Sequence, residues 1–104
     1  MIVEQRTYTL KAGAVNAYLA IYEQELIGVQ TKHLPRMVGY FSTDIGPLNQ
    51  IVHMWAYTDL NERTRCRAAL AADPAWQEGS KKLYALIETM ENKILVPAPF
   101  SPIK

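Results

Sequence analysis

The chain is short of cysteine, histidine and long apolar runs, and each shortage excludes something. A single cysteine, Cys66, rules out an internal disulfide and a cysteine-based zinc site. Two histidines, His33 and His53, stand without any carboxylate cluster at ligand spacing, so no metal is expected. GxGxxG, Walker and HExxH patterns are absent, and no cofactor is expected. No apolar stretch approaches the roughly 20 residues of a membrane span. The net charge is only +1, with both signs spread along the chain, which argues against a nucleic-acid partner. Regular structure starts at residue 2, leaving no room for a signal peptide, so a cytoplasmic location is expected.

The 104 residues suit one domain. The chain is organised around residues 49–63. Residues 49–57 are β-branched and aromatic and read as a strand. Alternation puts Asn49, Ile51, His53, Trp55 and Tyr57 on one face and Gln50, Val52, Met54 and Ala56 on the other. The second face is small and apolar, which suits it to lie under helices. The first is aromatic and partly polar, as in a pocket wall or an interface. Asp59 then caps a helix, with Glu62 as its capping-box partner.

Elsewhere the pattern is regular. Residues 2–10 alternate as a strand, with Glu4, Arg6, Tyr8 and Leu10 on one side. Residues 14–31 carry a helical stripe of Val15, Tyr18, Tyr22, Leu26 and Val29, with Gln30 off it. Residues 37–43 read as a strand, joined by a short turn to the organising one. Good helix formers fill 60–72. Asp73-Pro74 breaks that helix and starts another, as N-cap and first helical residue. A last strand ends near Val96, and three prolines keep 97–104 extended. The order is βαββαβ. It predicts an α+β, ferredoxin-like domain over 1–96, with a four-stranded antiparallel sheet, both helices on one face and an extended tail over 97–104. The aromatic face is then open, and a homodimer packed through it would cover it.

These residues resemble the NIPSNAP family, of the dimeric α/β-barrel group. The likeness rests on Glu4-x-Arg6-x-Tyr8-x-Leu10-Lys11-x-Gly13, Gly39-Tyr40-Phe41 and Gly46-x-Leu48-Asn49. It continues through Val52-His53-Met54-Trp55-x-Tyr57-x-Asp59 with Arg63, Asp73-x-x-Trp76, and Ile94-Leu95-x-Pro97-x-x-Phe100-Ser101. Ala12 stands where family members often have proline. The resemblance implies a fold and a dimer but no assigned reaction. Longer mitochondrial members have two domains, and their roles do not transfer to a single one. Proteins of similar fold include cofactor-free monooxygenases, haem-degrading enzymes and small isomerases, among which fold alone does not choose.

His53 and Tyr57 are the candidate catalytic residues, His53 as a general base and Tyr57 as a phenol donor. Arg6, Tyr8, Tyr40, Trp55 and Arg63 are candidate binders of a small aromatic or carbonyl compound. Plainer readings stand beside these. Arg6 pairs with Glu4 or Glu88, and Arg63 with Asp59. Arg63 and Arg67 form a solvated stripe. The tyrosines bury a ring and satisfy a hydroxyl, Cys66 packs, and His33 is a helix C-terminal cation. Two functions follow: a small-molecule-binding dimer or cofactor-free enzyme with its pocket at His53, or a non-catalytic dimer whose aromatic face serves assembly.

Overall fold

A computed structural model describes residues 1–104. Four strands, β1 (Ile2–Leu10), β2 (Met37–Ser42), β3 (Gln50–Tyr57) and β4 (Ile87–Leu95), form one antiparallel sheet in the order β2-β3-β1-β4. Helices α1 (Val15–Ile21) and α2 (Ile27–His33), joined by a π-helical turn (Tyr22–Leu26), make the first crossover. Helices α3 (Leu60–Ala72) and α4 (Pro74–Tyr84) make the second. This is the expected ferredoxin-like α+β arrangement.

The faces are the reverse of the expectation. Helices cover the aromatic face, not the small apolar one. His53 is 1% exposed, Trp55 0% and Tyr57 2%, so this face is not open to pack against a second copy of the chain. Registers Glu4↔Trp55, Arg6↔His53 and Tyr40↔His53 set those side chains on the same inner side. Large rings bury more area than Val52 or Ala56 would, and some of their polar atoms pair with one another, Trp55 with His53 and Tyr18 with Tyr40. A shift between Met37 and Gly39 turns Met37 inward along with Tyr40. The outer face carries Val3, Val38, Val52 and Met54, and residues of the 97–104 segment lie against part of it.

The first helical segment buries Ala14, Tyr18, Tyr22, Leu26 and Gln30, at a constant spacing of four. An α-helix repeats every 3.6 residues, so such a row drifts off one face. The π turn adds a residue and brings the row back. It also turns Gln30 inward, against expectation, where its Oε1 accepts from the Tyr22 hydroxyl at 2.6 Å. Val29 packs nearby, half-buried.

Helix α3 has no apolar stripe. It turns Arg63, Cys66, Arg67 and Leu70 toward the sheet, so the pair read as a solvated stripe faces inward. Asp59 caps it, accepting from the Glu62 amide at 2.8 Å, whereas the Glu62 carboxylate reaches Thr58 and not Asp59. Asp73 caps α4 through the Ala75 amide and pairs with His33 at 2.8 Å, and both contacts lower its pKa. Asn49, read as strand, instead ends the β2–β3 turn at φ 62°, a conformation Asn tolerates, with its Oδ1 accepting from the Gly13 amide.

Burial of the aromatic face has a direct consequence for stability. Trp55→Ala removes a fully buried ring and is expected to cost about 3–5 kcal/mol. Urea unfolding of the variant measures this, and a loss under about 1 kcal/mol, the usual range for surface changes, would return Trp55 to an exposed face.

Candidate functional site

The site is built on β3, with β1 and β2 on either side and α3 and α4 above. The Trp55 indole N–H donates to His53 Nδ1 at 2.7 Å. An indole nitrogen only donates, so Nδ1 must be unprotonated and the neutral ring carries its hydrogen on Nε2. Nε2 is buried and has no hydrogen-bond partner within the protein. Tyr40 stacks on the imidazole at 4.6 Å, Tyr22 stacks on Tyr40 at 4.5 Å, and Tyr8 meets the imidazole edge-on at 4.8 Å. The ring is therefore clamped in position, with one N–H left free.

Burial, with the charges of Arg6 and Arg67, lowers the His53 pKa to about 3, against a smaller opposing pull from Glu4. A group this weakly basic is a poor general base near neutrality. In its neutral form the ring offers Nε2–H as a hydrogen-bond donor. Tyr57 stays a neutral phenol, because burial raises its pKa; its hydroxyl has no partner and lies near Arg67. Burial likewise keeps Tyr8, Tyr18, Tyr22 and Tyr40 protonated.

Beside His53 lies a buried carboxylate. Glu4 Oε2 accepts from Arg63 at 2.7 Å, Asn92 at 2.8 Å and Arg6 at 3.0 Å. Burial works to raise the Glu4 pKa, but the Arg63 and Asn92 hydrogen bonds and the charges of Arg6 and Arg67 outweigh it and hold it at about 2. Arg67 Nη1 stands 3.9 Å from Glu4 Oε1, and neither atom has a hydrogen-bond partner. The ion-pair reading thus holds for Arg6 and Arg63, though Arg63 pairs with Glu4 and not Asp59.

A narrow cavity of about 20 Å³ lies against His53, with room for roughly one water-sized group. Tyr8, Tyr18, Tyr40, Arg67 and Trp76 line it, and the half-exposed Tyr84 stands at its edge. Of the expected site residues, His53, Tyr8 and Tyr40 line the cavity. Trp55 and Arg6 act behind it, Trp55 by setting the His53 tautomer and Arg6 by donating its Nε–H to the Tyr8 hydroxyl at 2.8 Å. Tyr57 and Arg63 lie outside the lining. Cys66 packs beside Leu70 and carries no chemistry here. Arg67, Tyr18, Gln30 and Ser80 line the cavity without having been singled out. Arg67 alone left a trace: no acidic residue stands three or four positions from it on its helix, so its partner had to come from elsewhere.

Comparison with known proteins identifies the relatives. The NIPSNAP family model matches residues 3–102, and the chain belongs to this family. A NipSnap homologue of Dictyostelium discoideum is 33% identical over 90% of this chain, and the human NipSnap homologue 3A is 34% identical over 97%. The chain spans 41% of the length of each. A crystal structure of a NIPSNAP family protein with unknown function from Agrobacterium tumefaciens superposes with TM-score 0.98 at 51% identity, covering 100% of this chain and 94% of that one. A putative antibiotic biosynthesis monooxygenase from Nitrosomonas europaea superposes with TM-score 0.67 at 13% identity, covering 93% and 98%, and shares the fold alone.

The buried neutral imidazole sets a pH dependence. Below the ordinary His pKa of about 6.5 the unfolded chain takes up a proton that the folded chain refuses, so stability falls as pH drops from there toward about 3. The Glu4 contribution is present above its unfolded pKa and is lost as pH falls from about 4.5 through about 2. Between about pH 7 and about pH 5 the wild type is expected to lose about 2 kcal/mol, and His53→Gln only a small part of that. Urea unfolding at the two pH values checks this; equal losses would take His53 out of the buried neutral state.

Proposed function

We propose that this NIPSNAP domain is a small-molecule-binding protein whose ligand presents an oxygen, as a carbonyl, enolate or phenolate, to His53 Nε2–H. The observation that carries this reading is a buried, rigidly held N–H with no protein acceptor, facing a cavity among aromatic rings. A buried donor without an acceptor costs free energy, about 1–3 kcal/mol, which a ligand oxygen would recover. The cavity admits the oxygen end, and the body of the ligand would rest near Tyr84 and Trp76.

The same geometry bears on chemistry. A fixed neutral donor stabilises an oxyanion with little reorganisation. It does not remove a proton, and Glu4 is held ionised and already engaged. If the protein is an enzyme, its chemistry therefore suits a substrate acidic enough to ionise unaided, which is compatible with cofactor-free oxygenation. Assembly belongs to the other side of the sheet. We infer a homodimer through the outer face, where Val38 and Met54 lie with the exposed Phe41 and Leu95, and β4 leaves a free edge.

Two expected outcomes follow. For 4-hydroxybenzaldehyde, followed by quenching of tryptophan fluorescence, His53→Ala is expected to weaken binding about tenfold or more, while His53→Gln, which keeps an N–H donor, retains most of it. No quenching of the wild type at millimolar ligand, or equal affinity of His53→Ala, would move the site away from His53. Sedimentation at micromolar concentration is expected to give a dimer, with a total buried area above about 1,200 Å², and Met54→Asp to give a monomer. A monomeric wild type would sink the assembly reading.

A further inference from the structure

The charges around the cavity are unbalanced. Three guanidinium groups, Arg6, Arg63 and Arg67, converge on one carboxylate, and no other acidic side chain lies within ion-pair distance of any of them. Their side chains are only 13%, 24% and 29% exposed. The hydrogen bonds to Glu4 are also unevenly shared. Its Oε2 receives all three, from Arg6, Arg63 and Asn92, while Oε1 receives none. Arg6 and Arg63 thus bond Glu4 directly, although the Arg63 Nε is buried without a partner. Arg67 feels the Glu4 charge at 3.9 Å but makes no hydrogen bond to it.

Arg67 is also the one of the three that lines the cavity next to His53. His53 and this under-satisfied cation therefore line one small space whose other walls are mainly rings and neutral polar groups, and their unpartnered atoms, Nε2 and Nη1, are both buried. Partly buried positive charge in excess of negative is costly unless an anion completes it. A guanidinium and an imidazole N–H are both donors, and a carboxylate offers two acceptor oxygens to such a pair.

We propose that the ligand of this cleft is an anion, a small aromatic carboxylic acid, with one carboxylate oxygen entering the water-sized cavity to accept from His53 Nε2–H and the other held outside it by the exposed part of the Arg67 guanidinium. This rests on the His53 pocket proposed above and adds the class of ligand and a specificity-determining residue. Glu4 is the positioning residue. It ties up Arg6 and Arg63, so that the remaining cation is the one facing the ligand.

The test compares 4-hydroxybenzoate with its neutral isostere 4-hydroxybenzamide at neutral pH and low ionic strength. The reporters are the indole N–H resonances of the two tryptophans, Trp55 and Trp76. Trp55 donates to the far side of the imidazole, so an acceptor at Nε2 is expected to shift its resonance. The benzoate is expected to bind about tenfold or more tightly than the benzamide, and to lose that advantage in Arg67→Met while keeping part of it in Arg67→Lys. Salt is expected to weaken the benzoate and not the benzamide. If both compounds shift Trp55 with equal affinity in the wild type, the anion inference fails and the His53 pocket stands. If neither compound shifts Trp55, both readings fail. The wild-type comparison decides the matter even if Arg67→Met does not fold.

Discussion

The inner face of the sheet depends on one buried negative charge. Glu4 is wholly enclosed, and an isolated carboxylate in that setting would be prohibitive. Its Oε2 is held by donors from its own strand, from β4 and from α3, so a single atom ties an edge strand and a helix to β1. The demand explains why α3 points arginines inward where a typical crossover helix points leucines. It also explains why α3 has no apolar stripe yet packs against β3. Removing one partner of such a cluster leaves a buried charge uncompensated, which makes the arrangement all-or-none.

The aromatic stack answers a second demand. A neutral imidazole between Tyr40 and the edge of Tyr8, with Trp55 donating to it, can neither tilt nor change tautomer cheaply. The π turn belongs to the same construction, since it lets Tyr18 and Tyr22 both reach the sheet from consecutive turns. Through it Tyr18 meets the Tyr40 hydroxyl at 2.8 Å, and Tyr22 stacks on the same ring. Rigidity here is a property of several weak contacts acting together, and it leaves one buried donor without a protein acceptor.

Covering the aromatic face with helices leaves Val38, Met54 and the exposed Phe41 and Leu95 on the outer face. The close superposition on a bacterial NIPSNAP protein and the looser one on a putative monooxygenase concern the same scaffold. What separates functions on a shared scaffold is the site, and here the site combines a weakly basic histidine with surplus arginine charge.

By itself, the sequence determined the elements, their order and the family. Strand alternation and the Asp59 and Asp73 caps are local signals, and the expected edges of the strands and helices agree with the structure to within a few residues. Alternation also grouped Glu4, Arg6 and Tyr8, and His53, Trp55 and Tyr57, onto single faces correctly. Only the tertiary structure decided which of those faces lay inside. Periodicity says which residues share a side and not which side is covered; that depends on whether polar atoms find partners on burial. The Trp55–His53 hydrogen bond is readable only once the face is known, and with it the tautomer that carries its hydrogen on Nε2. Arg67 was hidden for a related reason: its partner lies far away in sequence on β1, and a cation four residues from another looks like surface until a buried carboxylate is brought beneath it.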